Sequence, residues 1–323
     1  MKALVTGANG FTGSHLVKAL QQRGDSVVGL VRETSDLTRL KDTEIQLVTG
    51  EITARKALRQ AMKDVDTVFH TAAFVELGLV DAAKMERVNV EGTQAVLEIA
   101  KEMEISKMVY CSTIGIYGDT KGKVIDETFE RTQEDFSSAY DSTKYEAQQL
   151  VDNYAVIGFP VVSVMPSGIF GGDDPHYNPA FKLFLQGKLK VWAGGERITG
   201  IVHVDDLANA MILAAEKGER GEHYIISAGE IPFGQIFEIM GEQTGISKPV
   251  ELPPSVIRMA GNIIDPIGKL LSWNPPISKE RVHYLYDRCV RVDATKAREK
   301  LGWNPRSVSQ ALQEITTQLK SEI

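Results

Sequence analysis

Short apolar runs alternate along the first half of the chain with stretches in which apolar residues recur every three or four positions. Residues 3–5, 26–31, 45–48, 66–70, 107–111 and 161–165 each predict a buried strand. Between them, residues 14–20 and, most clearly, 81–103 read as helices, the latter with Val88, Ala95, Leu97, Ile99 and Ala100 on its apolar face. Strands that are apolar throughout rather than alternating belong to a sheet covered on both sides, and strand–helix repetition makes that sheet parallel. The fold class is therefore α/β, a doubly wound parallel sheet occupying residues 1–166.

After Met165 the pattern breaks up. Glycine clusters at 171–172 and 194–195 and prolines at 232, 249, 253, 254, 266, 275 and 276 predict short elements. Residues 167–323 read as a smaller C-terminal substrate-binding lobe, with 200–228 returning to the first lobe through a helix that runs to Ala215. Within the second lobe Val256, Ile257, Ala260, Ile263, Ile264, Ile267, Leu270 and Leu271 recur at helical spacing, with Pro266 expected to kink or break the run. Such a stripe is expected to be a packed core face; an apolar lid or a helix lying on a membrane surface are the alternatives.

Composition narrows the partners. With 36 Lys plus Arg against 43 Asp plus Glu and no basic run, the chain is not built to neutralise nucleic acid. Only Cys111 and Cys289 occur, spaced for neither a metal nor a redox pair, which points to a reducing compartment. No stretch approaches the roughly 18 apolar residues of a membrane span, and no secretory leader opens the sequence. A cytoplasmic location is expected. His176 and His203 do not form a metal set, and no metal is expected.

The candidate chemistry starts at Thr6-Gly7-Ala8-Asn9-Gly10-Phe11-Thr12-Gly13, between the first strand and the first helix. A glycine loop there lets backbone N–H groups approach a phosphate at the positive end of a helix, and the expected guest is a dinucleotide. Tyr140 and Lys144 stand four apart on a predicted helix and share a face. An ammonium beside a phenol is expected to lower a pKa that starts at about 10, bringing the tyrosine into acid–base range.

The glycine loop, Tyr140-Asp141-Ser142-Thr143-Lys144, Asp205-Asp206-Leu207-Ala208 and Leu301-Gly302-Trp303-Asn304-Pro305 together resemble the extended short-chain dehydrogenase/reductase superfamily. Leu30-Val31-Arg32 and Val202-His203-Val204-Asp205-Asp206 look most like its dihydroflavonol-reductase and 3β-hydroxysteroid-dehydrogenase branch. The resemblance implies a Rossmann-type first lobe, an NAD(P)-dependent enzyme, a small-molecule substrate and a homodimer packed through helices of the first lobe. It also implies a catalytic hydroxyl four residues before Tyr117, at Thr113, with Ser112 as the fallback. Gly7, Asn9, Gly10, Phe11, Thr12 and Gly13 would hold the cofactor phosphates, Ala72 and Ala73 would pass its backbone, and Glu51-Ile52 would sit beside the adenine. Pro166 and Ser167 would line the nicotinamide, and Lys144 would hold the ribose. Arg32 at the end of the second strand, where NAD enzymes place a carboxylate, favours NADP over NAD, with Arg39 and Lys41 close enough in sequence to assist. Phe74 and Tyr177 are candidate pocket residues.

Two absences direct the reaction. Nucleotide-sugar epimerases of the superfamily carry a phosphate-binding arginine four residues before the histidine of His203-Val204-Asp205, where this chain has Thr199. Dehydratases carry an acid pair after the catalytic threonine, where this chain has Ile114-Gly115. The expected activity is hydride transfer between the nicotinamide and a carbonyl or secondary alcohol. A sugar epimerase using the same Tyr-Lys-Thr site and a non-catalytic redox sensor are the competing readings.

Overall fold

The computed structural model describes all 323 residues. Its central sheet has seven parallel strands: β1 (Lys2–Thr6), β2 (Ser26–Val31), β3 (Gln46–Thr49), β4 (Thr67–His70), β5 (Lys107–Cys111), β6 (Val161–Pro166) and β7 (His223–Ile226). They lie in the order 7-6-5-4-1-2-3. Six are the strands expected from the apolar runs, two of them starting one residue later. The order reverses at β1, whose Leu4 pairs with Val28 on one side and Val68 on the other. A doubly wound sheet binds its ligand in the crevice at that reversal, outside the carboxyl ends of the strands.

Successive β1 side chains enter opposite layers. Ala3 and Val5 join a core with Leu16, Val17 and Leu20 of helix α1 (Phe11–Gln22), while Leu4 joins one with residues of α2 (Gly92–Glu102) and α3 (Ala139–Val156). Helix α4 (Val204–Lys217) lies on the α1 side through Leu207, Ala208 and Met211. The stretch read as one helix over 81–103 is an α-turn at Ala82–Glu86, a π-helical turn at Arg87–Glu91 and then α2. The wider turn carries Asn89 inward, where it exchanges hydrogen bonds with both backbone groups of Phe74 (2.7 and 3.1 Å) and donates to Thr143 of α3 (3.0 Å). A π-turn inside an α-helix is a frequent mark of a functional position.

The remaining residues build a three-stranded sheet (Gly168–Phe170, Ile198–His203, Gly229–Pro232) over an aromatic core. Tyr177 belongs to that core, stacked 4.7 Å from Phe170, so of the two proposed pocket aromatics this one is packing.

The apolar stripe departs from expectation. It forms one helix, α5 (Pro254–Leu270), that continues past Pro266 without a break. Proline there removes a single backbone donor, and the neighbouring Asp265 ties the turn down by accepting from Lys279 N–H and pairing with Lys269 at 2.9 Å. The stripe is not a core face. Ile257 is buried, but Val256, Ile263, Ile267, Leu270 and Leu271 are exposed, Leu270 by 84 %. The inward face is instead Ile257, Gly261, Asp265 and Gly268. Helix α6 (Lys279–Tyr286) and the following turn come so close that a Cβ on Gly261 would lie 2.9 Å from Val282, and one on Gly268 would lie 2.8 Å from Pro275.

Candidate functional site

A cleft opens at the carboxyl ends of β1 to β4, and eight of the expected cofactor residues line it: Gly7, Asn9, Gly10, Arg32, Glu51, Ile52, Ala72 and Ala73. Thr71, Phe74, Lys84 and Val88 line it too. Lys84 escaped the sequence reading because it lies in a short turn of helix with no motif; its ammonium sits 4.8 Å from the Phe74 ring centre.

Gly7 has φ +70°, and a Cβ there would stand 2.9 Å from Ala72 Cα. A Cβ on Gly13 would meet Gly7 O at 2.1 Å, so both glycines are required for the loop to fold against α1. Helix α1 begins after Gly10 with no side-chain cap and no acid in its first turn, which leaves the N–H groups of Phe11 and Thr12 for an anion. The Phe11 ring itself meets His15 edge-on. This donor set, closed by glycines where backbone must be bare, fits the pyrophosphate of a dinucleotide. Arg39 does not assist Arg32: its guanidinium is taken by Asp173, Nε donating to the carboxylate at 2.9 Å and Nη2 to the backbone carbonyl at 2.6 Å.

At the inner end of the crevice the catalytic candidates come together. Ser138 caps α3 by accepting Asp141 N–H at 3.0 Å, which fixes the turn that presents Tyr140. Thr113, at the end of β5, accepts Gly115 N–H at 3.0 Å. Burial pushes the Tyr140 phenol well above its ordinary value, with Cys111 and Asp141 acting in the same direction, while a hydrogen bond with Thr113 and the charge of Arg288 oppose it.

Lys144 is placed differently from expectation. Its ammonium donates to Tyr110 Oη at 2.7 Å and to the Cys111 carbonyl at 2.8 Å rather than facing Tyr140. The expected lowering of the phenol by its lysine neighbour is therefore absent from this arrangement, and burial dominates. Burial also brings Lys144 down to about 8. Behind it runs a buried polar chain: Thr6 Oγ1 to His70 Nδ1 at 2.7 Å, His70 Nε2 to Thr93 Oγ1 at 2.9 Å, and Thr93 Oγ1 on to the Asn89 carbonyl at 2.6 Å. Burial and the Lys144 charge hold His70 down at about 3, so its ring is neutral. Tyr110, His70 and Thr93 were invisible as site residues because each occupies an ordinary inward position of a strand or helix.

Ser112 and Ser167 are buried, and neither hydroxyl oxygen has a partner. They lie at the ends of β5 and just beyond β6, with Pro166 closing the latter strand. Buried hydroxyls without partners cost stability unless a ligand completes them, which fits a nicotinamide amide at this end of the crevice.

The C-terminal lobe supplies one more group. Arg288 Nη2 reaches the Gly115 carbonyl at 3.0 Å and Asp141 at 3.4 Å, and Tyr284 donates to the same carboxylate oxygen at 2.7 Å. Arg288 and Asp141 are both buried, and Asp141 Oδ2 and Arg288 Nε lack partners. No local signal marks Arg288, which lies 147 residues from its partner.

The model of the NAD dependent epimerase/dehydratase family matches residues 3–227. A 4-hydroxy-2-methyl-3-oxo-4-farnesyl-3,4-dihydroquinoline-1-oxide ketoreductase of Stigmatella aurantiaca is 32 % identical, over 96 % of this chain and 94 % of that protein. The sterol demethylase protein B of Methylococcus capsulatus is 29 % identical over 96 % of both chains. Among solved structures, a UDP-glucose 4-epimerase from Thermotoga maritima superimposes with a TM-score of 0.80 over 100 % of this chain and 99 % of that one; at 24 % identity it speaks for the fold.

Proposed function

Because the chain belongs to the NAD-dependent epimerase/dehydratase family of extended short-chain dehydrogenases/reductases and is an NAD(P)-dependent oxidoreductase, we propose that it transfers hydride between NADP and a carbonyl or secondary alcohol of a small apolar substrate. The observation that carries this reading is the position of the Tyr140 phenol, in the first turn of α3, beside Thr113 just past the carboxyl end of β5. When bound, the nicotinamide supplies or accepts the hydride. Thr113 would orient the carbonyl oxygen by donating to it, and Tyr140 would hand its proton to that oxygen as negative charge develops. A phenol kept protonated by burial is suited to the acid role, hence to reduction. Lys144, bonded to a neutral hydroxyl and a carbonyl rather than to a carboxylate, keeps donor capacity for ribose hydroxyls.

Arg32 on the cleft and the absence of a carboxylate at the end of β2 support NADP, and Lys84 adds a second cation to the same cleft. The apolar character of the substrate is supported by the relatives named for a farnesylated quinoline oxide and for sterols. Thr199, buried and holding only the Arg197 carbonyl at 3.4 Å, provides no cation for a nucleotide-sugar phosphate. We assign 1–166, with 200–228, to the cofactor and the rest of 167–323 to the substrate, in a cytoplasmic homodimer paired through first-lobe helices. No helix is long and apolar enough to cross a membrane.

Tyr140→Phe tests the reading. With a ketone that the parent reduces, turnover should fall by about 10² to 10⁴-fold while the affinity for NADPH, read by fluorescence quenching, is kept. Undiminished turnover in that variant overturns it. Thr113→Val should lose about 10²-fold and Thr113→Ser should recover most of it.

A further inference from the structure

A polar row crosses the central sheet. Thr6, His70, Tyr110 and Ser163 stand side by side in register on β1, β4, β5 and β6, and none is more than 1 % exposed. Two positions earlier on the same face the row reads Leu4, Val68, Met108 and Val161, apolar throughout. Buried polar groups are costly unless bonded, and an apolar row would close the layer equally well, so the polar row is explained by what it holds. The helices laid over it answer each strand side chain in turn. Thr93 of α2 meets His70 at 2.9 Å, and Lys144 and Gln148, one turn apart on α3, reach Tyr110 at 2.7 Å and Ser163 at 2.9 Å.

The contact with Tyr110 bears on the chemistry. Lys144 is 2 % exposed and has no carboxylate partner. Its ammonium is held by neutral acceptors, Tyr110 Oη and the Cys111 carbonyl at 2.8 Å, with the Tyr110 ring centre 4.3 Å away. The titratable groups beside it are uncharged near neutral pH: burial pushes the Cys111 thiol up to about 11, raises the phenols of Tyr110 and Tyr140, and holds His70 down at about 3. Asp152, further along α3, is paired with His223 at 2.8 Å. Without a counter-ion, the two acceptors decide where the ammonium lies and how readily the amine keeps its proton, because a hydrogen bond accepted from the charged form favours that form. The carbonyl belongs to the backbone of β5 and would be there with any side chain. The phenol oxygen is the acceptor that this sequence adds.

We propose that Tyr110 is the positioning residue of Lys144, its phenol oxygen fixing where the ammonium lies and favouring the charged amine. That the ribose of a dinucleotide then meets this ammonium rests on the function proposed above; the hold of Tyr110 on Lys144 does not.

Tyr110→Phe tests the proposal, since it keeps the ring beside the ammonium and removes only the oxygen. The proton on Lys144 is followed by NMR of the full chain carrying carbon-labelled lysine, with Lys144→Met to assign the signal. In the parent this amine titrates at about 8. Losing one of its two acceptors should lower the midpoint by about one pH unit. The affinity for NADPH, read by fluorescence quenching, should then fall by about fivefold at about pH 8 and be kept at about pH 6, where both proteins hold the proton. A midpoint that stays within about 0.3 pH units of the parent, or one that rises, overturns the proposal. A lowered midpoint with the affinity at about pH 8 unchanged leaves the hold of Tyr110 standing and removes Lys144 from the cofactor, which separates failure of the proposed function from failure of this inference. Where Tyr110→Phe is too unstable to titrate, a double-mutant cycle in urea decides instead: Lys144→Met should raise the unfolding midpoint more in the Tyr110→Phe background than in the parent, because there the ammonium has lost its acceptor. Equal changes in the two backgrounds overturn the proposal.

Discussion

Strand β1 and helix α5 are both rich in apolar residues, the first as a continuous run and the second at helical spacing, and they end on opposite sides of the protein surface. Ala3, Leu4 and Val5 are fully buried, whereas Ile263 and Ile267 are 59 % and 46 % exposed. The difference lies in what each element can be covered by. A central strand of a doubly wound sheet has helices on both faces whatever its neighbours are, so apolar there means inside. A surface helix has one covered face, and which one depends on where small residues allow close approach. Gly261 and Gly268 admit α6 and the turn at Pro275, and this fixes the rotation of α5 with its apolar face outward. Periodicity identifies residues that share a face and leaves the direction of that face to tertiary packing.

The reverse inversion occurs at Asp141 and Arg288, charges placed inside. Removing one of a buried pair leaves the other uncompensated, so Arg288→Met should cost about 3–5 kcal/mol in urea denaturation. Asp141→Asn combined with Arg288→Met should return most of that loss. If the single variant unfolds at the same urea concentration as the parent, the pair is not the tie between the C-terminal lobe and the catalytic turn that its contacts with Gly115 and Tyr284 indicate.

These two regions also show how far the sequence could be read. The six strands and the bare backbone of the glycine loop were legible because their determinants are local, apolar runs and the glycines Gly7 and Gly13; Thr113 was singled out only by the family resemblance, as a count back from Tyr117. The direction of the Lys144 ammonium was not, since the acceptors that hold it, Tyr110 Oη and the Cys111 carbonyl, belong to a strand 33 to 34 residues earlier. Asn89 was hidden by its π-turn, because a helix read at regular spacing gives no reason for one residue to point at Phe74 and Thr143 together. The outward rotation of α5 was hidden by two glycines that, in a one-dimensional pattern, simply look like weak helix formers.

A middle-sized effect is expected where the cofactor loop meets the segments that follow the sheet. His15 of α1 bonds Asp173 at 2.9 Å and Asp205 at 2.5 Å. Burial lowers its proton affinity, but the hydrogen bonds and charges of the two carboxylates outweigh burial and raise its pKa to about 9. Unfolded histidine titrates at about 6.5, so the folded chain holds the extra proton between those values. The stabilisation is complete below about pH 6.5 and lost as pH rises through 9. His15→Gln should therefore be about 2 kcal/mol less stable than the parent at pH 6 and nearly equal to it above pH 9, a figure reduced for the exposure of the Asp205 carboxylate. A gap that stays constant with pH would show that the imidazole works by packing alone.

The smallest expected effect is the most direct test of the contrast between the two elements. Leu4→Ala removes a side chain enclosed on all sides and should cost about 2–5 kcal/mol, because the sheet cannot close over the cavity. Ile263→Ala removes a side chain of similar size from a helix of similar regularity. Its outer atoms already face water, and alanine favours the helix slightly, so thermal denaturation should move by less than about 0.5 kcal/mol in either direction. Were Ile263→Ala to destabilise the isolated protein as Leu4→Ala does, the outward face would already be covered in solution by another copy of the chain. That loss should then grow on dilution, as it must when a face is buried only by association.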